Sequence, residues 1–161
     1  MAPRKLIQNR LPMFGIAPAD YRGLAPSTPY VSMKGYDSLM FIIQTGASDG
    51  FPAVIVNEAT DVAGTGAQQL TFLEYWTNEA NIASANMTRT VCASTFAMNA
   101  ANALYVVEII ADTLTTNSGY DCISMQIGPS GKFGLFFSVA IVGNQVRYQL
   151  DTASMIDAMI D

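Results

Sequence analysis

Hydrophobic and polar positions along the chain predict a protein built from short strands. Apolar runs rich in β-branched and aromatic residues recur at intervals, and the segments between them contain Gly, Asp, Asn or Ser. These runs are residues 39–45, 53–60, 70–76, 104–110 and 120–128. Residues 78–102, rich in Ala, Asn, Ser and Thr, predict a long loop with one strand near residues 90–97. The turn-forming segments between the runs include residues 46–50, 61–66 and 117–119. This pattern predicts an all-β fold, an antiparallel β-sandwich or jelly-roll-like barrel of about eight strands.

The last part of the chain carries a hairpin pattern. Residues 134–142 are apolar almost throughout, Gly143-Asn144 follows, and residues 145–150 alternate between polar and apolar side chains. Because Gly and Asn adopt positive φ at low cost, we predict a tight turn at Gly143-Asn144 between two strands. The apolar first run predicts a strand covered on both faces. Residues 154–161 predict a short final helix.

Residues 1–34 differ from the rest in charge and backbone preference. Five of the eight Lys and Arg residues but only one of the thirteen acidic residues lie here, together with five of the seven prolines. Prolines at this spacing exclude a long helix and favour extended backbone. We therefore predict an extended basic arm over residues 1–34 and a β-sandwich domain over residues 35–161. The arm is expected to lie on its own body or on a neighbouring subunit, since its charge complements an acidic body.

Composition bears on the surface of the protein and on the compartment in which it folds. Charged residues make up only 13% of the 161 residues and hydrophobic residues 50%. This predicts either a surface partly covered by partners or a surface rich in Ser, Thr and Asn. The longest apolar run, residues 133–143, is shorter than a membrane span of about 20 residues, and no signal-peptide pattern follows the first basic residues. We expect no membrane partner and folding in the cytosol.

Candidate chemistry is sparse. The chain has no histidine, which removes the usual general base and most zinc sites. Cys92 and Cys122 lack the spacing of a metal or redox motif and are predicted to be free thiols. Carboxylate pairs that calcium would accept occur, but none matches a calcium-binding loop; they are Glu58 with Asp61 and Asp112 with Asp121. We expect no enzymatic activity, no cofactor and no metal site.

Particular residues raise two other binding functions, to nucleic acid and to carbohydrate. The five cations of the arm offer contacts to nucleic acid, but they are scattered and lack interleaved aromatic residues, so no nucleic-acid partner is expected. Tyr75 and Trp76 offer an aromatic platform on which a sugar would stack. That platform defines a rival hypothesis, a carbohydrate-binding β-sandwich module.

Four segments carry a resemblance to a known family. They are VSMKGYD at residues 31–37, VNEATDVAGTG at residues 56–66, YVVEI at residues 105–109 and GYDC at residues 119–122. In these segments the chain resembles small virion structural proteins of tailed phages, over roughly residues 31–150. The resemblance implies a β-sandwich that decorates or cements a capsid, and it implies no catalytic residues.

The leading hypothesis is therefore a non-enzymatic virion protein that binds an assembled phage capsid, assembles in the host cytoplasm and self-associates through its arm and sandwich. Its expected partners are the major capsid protein and further copies of itself. The arm residues expected to contact a neighbour are Arg4, Lys5, Arg10, Phe14 and Tyr21. A head-to-tail connector or tail component is the alternative within the same class.

Overall fold

The computed structural model describes residues 10–79, 86–92, 94–129 and 134–146. In this part of the chain two antiparallel sheets pack face to face as a β-sandwich, which confirms the predicted fold class. In chain order the strands are β1 (Arg10–Asp20), β2 (Val31–Ser32), β3 (Tyr36–Ser48), β4 (Ala53–Ala59), β5 (Gln68–Gln69), β6 (Glu74–Asn78), β7 (Thr88–Val91), β8 (Thr95–Ala97), β9 (Leu104–Ile110), β10 (Cys122–Ile127) and β11 (Leu135–Val146). Two short 3-10 turns, Ala111–Thr113 and Thr116–Ser118, separate β9 from β10.

The larger sheet has six strands in the order β1-β11-β3-β9-β6-β7. Its central pair, β3 and β9, stays in register from Ser38 opposite Ile110 to Gln44 opposite Leu104. The smaller sheet runs β2-β10-β4-β5, with β8 also paired to β4. Strand β10 is covered on both faces, since Cys122 and Ile123 are both buried although neighbouring side chains point to opposite sides.

The core lies between the inner faces of the two sheets. From the larger sheet it takes alternate residues such as Phe41, Ile43 and Val107, and from the smaller sheet Val54 and Ile127. Full burial of an aliphatic or phenyl side chain contributes about 1.5–3 kcal/mol, so these positions hold the sheets together.

The predicted hairpin at Gly143-Asn144 is wrong. Both residues lie inside β11, where Gly143 pairs with Leu39 on one side and Leu11 on the other, and Gly143 has no positive φ. Glycine is required here for space, because a Cβ at Gly143 would overlap the ring of Tyr36. The prediction that residues 134–142 are covered on both faces is also wrong, since Phe136 and Ala140 are exposed.

Residues 10–34 contribute a strand to each sheet. β1 is an edge strand of the larger sheet and pairs with β11 from Arg10 to Asp20, with two register shifts near Gly15 and Pro18. β2 pairs with β10. The described part of the predicted arm is therefore extended and lies on its own body, while its division from residues 35–161 stays a prediction.

The remaining sequence predictions differ in detail. β9 has the predicted bounds, whereas the predicted strand over residues 70–76 starts only at Glu74. The number of strands is eleven within the described residues, against about eight predicted, because several strands are only two to four residues long. The predicted helix over residues 154–161 lies outside the described residues.

A buried carboxylate joins the smaller sheet to the β9–β10 connection. Glu58 of β4 is only 1% exposed. Its Oε1 accepts hydrogen bonds from Gln68 Nε2 and Thr115 Oγ1, both at 2.6 Å, and its Oε2 accepts one from the Thr115 backbone N–H at 2.8 Å. Because three donors converge on one side chain, Glu58 fixes the position of the connection against β4.

Candidate functional site

The outer face of the larger sheet is the most unusual surface of the described chain. Tyr105, Val107 and Ile109 of β9 point into the core, so Val106 and Glu108 point to the opposite side. All strands among the described residues belong to the two sheets, so no third sheet covers this side. We use the term outer face for this side of the larger sheet.

One row of side chains crosses the whole outer face. The strand registers place six residues in line, one from each strand, in the order Phe14, Ala140, Ile42, Val106, Trp76 and Arg89. A second row lies beside it and contains Pro12, Val142, Met40 and Glu108. Eight of these ten residues are apolar, and each is at least partly exposed. A sheet face in contact with water ordinarily carries alternating polar side chains, so this face has the composition of an interface.

The two ends of the first row differ in shape. At the β1 end Phe14 is 76% exposed, which makes it a projecting ring on an edge strand. Near the opposite end Met40, Trp76, Met87, Val106 and Glu108 line a notch of about 220 Å³. The outer face therefore carries both a projection and a recess.

Polar groups border the notch. Ser38 Oγ donates a hydrogen bond of 2.6 Å to Glu108 Oε1, and Asn144 Nδ2 donates one of 3.3 Å to Ser38 Oγ. These contacts hold the Glu108 carboxylate at the edge of the apolar row. At the end of the row Arg89 pairs with Glu74, and this hydrogen bond raises the pKa of the Arg89 guanidinium.

The arm residues predicted to contact a neighbour lie in different surroundings. Arg4 and Lys5 lie outside the described residues. Arg10 and Phe14 are exposed on β1, at the edge of the outer face. Tyr21 packs its ring on Phe137, with centroids 4.7 Å apart, and its hydroxyl donates a 2.7 Å hydrogen bond to Ala17 O. A role for any of them in contacting a partner stays a prediction.

The predicted aromatic platform of Tyr75 and Trp76 is wrong as a pair. Consecutive residues of a strand point to opposite faces, so only Trp76 reaches the outer face. Tyr75 is buried and stacks on Phe96 in the core, with centroids 3.8 Å apart and planes 10° apart.

The cysteines and the carboxylates named from the sequence have structural surroundings. Cys92 and Cys122 are free thiols, as predicted, and burial raises the pKa of Cys122 to about 12. Asp61 Oδ1 accepts the backbone N–H groups of Ala63 and Thr65, which closes the predicted turn over residues 61–66, and Asp121 pairs with Lys34 at 3.0 Å. Within the described ranges no three such side chains form a group suited to a metal ion.

Two other recesses lie outside the two apolar rows of the outer face. One of about 470 Å³ is lined by polar and small residues at the end of β3, including Gln44 and Asn102. The other, of about 360 Å³, lies beside the Lys34–Asp121 ion pair. Neither recess brings together a nucleophile, a base and an oxyanion donor, so the apolar outer face remains the candidate site.

One feature of the sequence indicates that the outer side of β3 is apolar. Residues 39–43 of β3 are apolar at every position, which is typical of a strand covered on both sides. In the structure the inner side of β3 is covered by the core, and Met40 and Ile42 lie on the outer face. The excess of apolar residues therefore reflects the apolar outer side of this strand.

Comparisons with known proteins give no family. No protein-family model matches the sequence, and no curated protein matches it. Among solved structures, a protein derived from the SPBc2 prophage, YomS, superposes with a TM-score of 0.44 at 10% identity, over 84% of this chain and 94% of that chain.

Two other solved structures give lower scores. The infectious bursal disease virus Gx strain structure has a TM-score of 0.38 at 12% identity, over 86% of this chain and 33% of that chain. A family 11 carbohydrate-binding module from Clostridium thermocellum, in complex with a mixed-linked tetrasaccharide, has a TM-score of 0.34 at 12% identity, over 86% of both chains. All three TM-scores lie below 0.5, so these similarities carry no conclusion about function. Among the described residues no helix is long and apolar enough to cross a membrane.

Proposed function

We propose that the protein is a non-enzymatic structural component of a tailed-phage virion that binds the assembled capsid and stabilises it, as decoration or cement proteins do. Its partners are the major capsid protein and further copies of itself. It assembles onto the particle in the host cytoplasm and needs no cofactor, nucleic acid or membrane for this role. The four sequence segments that resemble small virion proteins support the class.

The apolar outer face is the observation that carries the proposal. Eight apolar residues in two adjoining rows of one sheet side have a higher free energy in water than when they are buried against another protein. Burial against a flat protein lattice recovers this free energy at about 25 cal/mol per Å² of apolar area. A binding role fits such a face better than catalysis does.

Stabilisation follows from binding linkage. A protein that binds the assembled shell and not its separate subunits shifts the assembly equilibrium toward the shell. The gain grows with the logarithm of the free protein concentration relative to its Kd, reaching about 2.7 kcal/mol per site at 100 times Kd. Because the effect is repeated over many sites, moderate affinity at each site suffices.

Binding to shells tests the proposal with matched valines. Val106→Lys places a charge in the middle of the outer face, whereas Val62→Lys changes a half-exposed valine in the turn over residues 61–66. We expect the unchanged protein and Val62→Lys to cosediment with capsid shells of the source phage and to raise their melting temperature, and Val106→Lys to do neither. Equal shell binding by Val106→Lys, with folding checked by circular dichroism, would contradict a role for the outer face.

Trp76 supports a second candidate function. Its indole lines the notch beside the Glu108 carboxylate, an arrangement in which a sugar ring can stack while its hydroxyls donate to the carboxylate. A carbohydrate-binding module is therefore the alternative from another class. Glycan-array binding that Trp76→Ala abolishes, together with no binding to shells, would favour this alternative. A head-to-tail connector or tail component differs from decoration in copy number.

A further inference from the structure

We propose that the outer face forms a symmetric homodimer in which Phe14 of each copy enters the notch of the other copy. The inference rests on the proposed function and deepens its self-association: in the free protein a second copy covers the outer face that the shell covers on the particle. It can be tested on the purified protein without a capsid. It depends on three properties of the outer face: the positions of the projection and the recess, their sizes, and the charges around them.

Phe14 and the notch lie near opposite ends of the same row, on the same face of the sheet. Four strand spacings separate β1 from β6, which places Phe14 about 19 Å from Trp76. Let a second copy pack face to face on the first, related by a two-fold axis that runs parallel to the strands and passes close to β3, the middle strand between β1 and β6. This axis places the β1 end of one copy opposite the β6 end of the other. Phe14 of either copy then faces the notch of the other, and both contacts form at once, as an isologous interface requires. Sheets packed face to face keep their strands within about 30° of each other, which is compatible with this arrangement.

The sizes of the two features are compatible. The notch has a volume of about 220 Å³ and is lined by four apolar residues, Met40, Trp76, Met87 and Val106, and by Glu108. An apolar protein cavity of about 150 Å³ is known to take up a benzene ring, so one phenyl ring fits. Thioether and indole groups make favourable contacts with an aromatic ring, and two methionines adapt to its shape.

The charges around the row are complementary across the same axis. Rotation about an axis along the strands keeps each row opposite itself. Arg10 lies two rows from Phe14, and Glu108 lies in the row between them. The position opposite Arg10 and the position of Glu108 are one row and one strand apart, about 7 Å by about 5 Å or roughly 8.5 Å on the diagonal, which the Arg and Glu side chains together bridge. Arg10 of one copy therefore reaches the Glu108 carboxylate of the other, so a cation meets an anion at each end of the interface.

The available area is sufficient for a weak specific dimer. Three rows over five strands cover about 20 Å by 24 Å, or about 500 Å² on each copy and roughly 1,000 Å² in total. This value lies at the lower limit for specific interfaces, so we expect association in the micromolar range, with a large share of the binding energy at Phe14 and the notch.

Sedimentation velocity of the full chain at concentrations up to about 0.1 mM tests the dimer. Phe14→Ser removes the projecting ring, and Phe51→Ser is its matched control, because Phe51 is 48% exposed but lies between β3 and β4, outside the rows of the outer face. We expect Phe51→Ser to dimerise as the unchanged protein does and Phe14→Ser to weaken dimerisation at least tenfold. A monomeric unchanged protein, or equal dimerisation of Phe14→Ser, would overturn the inference.

A mixing experiment tests the pairing itself. Met87→Glu adds a second carboxylate to the notch and leaves Phe14 in place. A dimer of either variant alone has lost both contacts between Phe14 and the notch. A mixed dimer keeps one of them, because Phe14 of the Met87→Glu copy enters the unchanged notch of the Phe14→Ser copy. We expect equimolar mixing to restore dimers that neither variant forms alone. If the two variants stay monomeric when mixed, the contact between Phe14 and the notch is refuted. It is also refuted if the protein never dimerises but binds shells through the notch.

Discussion

Replacing the buried Glu58 gives a sharp test of how the smaller sheet is held to the β9–β10 connection. Glu58→Ala removes the acceptor for three donors, one from Gln68 and two from Thr115. A buried donor left without a partner costs about 1–3 kcal/mol. The three together predict a loss of about 3 kcal/mol or more, a large part of the 5–15 kcal/mol typical of a domain.

Glu58→Gln separates charge from shape. Glutamine keeps one carbonyl oxygen but places an NH₂ donor where the carboxylate had a second acceptor. At least one of the three donors then faces another donor, and the remaining hydrogen bonds lose their charge assistance. We expect a loss of about 2 kcal/mol in the free energy of unfolding, measured by urea denaturation. Exchange of the Thr115 amide hydrogen should also become faster.

The matched control is Glu74→Gln on the outer face. Glu74 pairs with Arg89, but the two side chains are 30% and 61% exposed, and such ion pairs contribute less than about 1 kcal/mol. The comparison therefore predicts a clear difference between two Glu→Gln changes in the same protein. Equal losses, or a loss at Glu58 below about 0.5 kcal/mol, would refute the assignment of Glu58 as the group that fixes the connection.

Three further predictions concern single groups. The backbone N–H of Leu135 lowers the pKa of Asp20 below 3.8. The ionised Asp20 carboxylate therefore stabilises the fold above that pH, and this stabilisation is lost as the pH falls further. In urea titrations, the stability difference between the unchanged protein and Asp20→Asn should shrink below about pH 4. Burial raises the pKa of Cys122 to about 12, so a thiol reagent at about pH 8 should label Cys122 only after unfolding. Gly143→Val forces Tyr36 to move and should lower the free energy of unfolding by about 1–3 kcal/mol.

The strands that sequence predicts best are those whose character is local. Residues 104–110 are β-branched or apolar except Glu108, with turns on both sides, and β9 has those bounds. Gly143-Asn144 also has a strong local preference, but pairing with β1 and β3 on both sides places it inside β11. β1 contains two prolines, so only its pairing with β11 shows it to be a strand.

The candidate site was accessible to sequence reasoning only in part. Arg10 and Phe14 were predicted as partner contacts from charge and hydrophobicity, and the structure places both at the edge of the outer face. The notch was not predicted, because Met40, Trp76 and Val106 belong to three strands that only the sheet register brings together. Such a register depends on the hydrophobic pattern together with the turns, and residue spacing alone does not give it for strands so far apart in the chain.

The most direct test of the central claim is the copy number of this chain in purified particles of the source phage, measured by quantitative mass spectrometry against the major capsid protein. A decoration role predicts a copy number of the same order as that of the shell subunit. A handful of copies per particle would instead indicate a connector or tail component. Complete absence from particles would contradict a virion role and leave the carbohydrate-binding alternative.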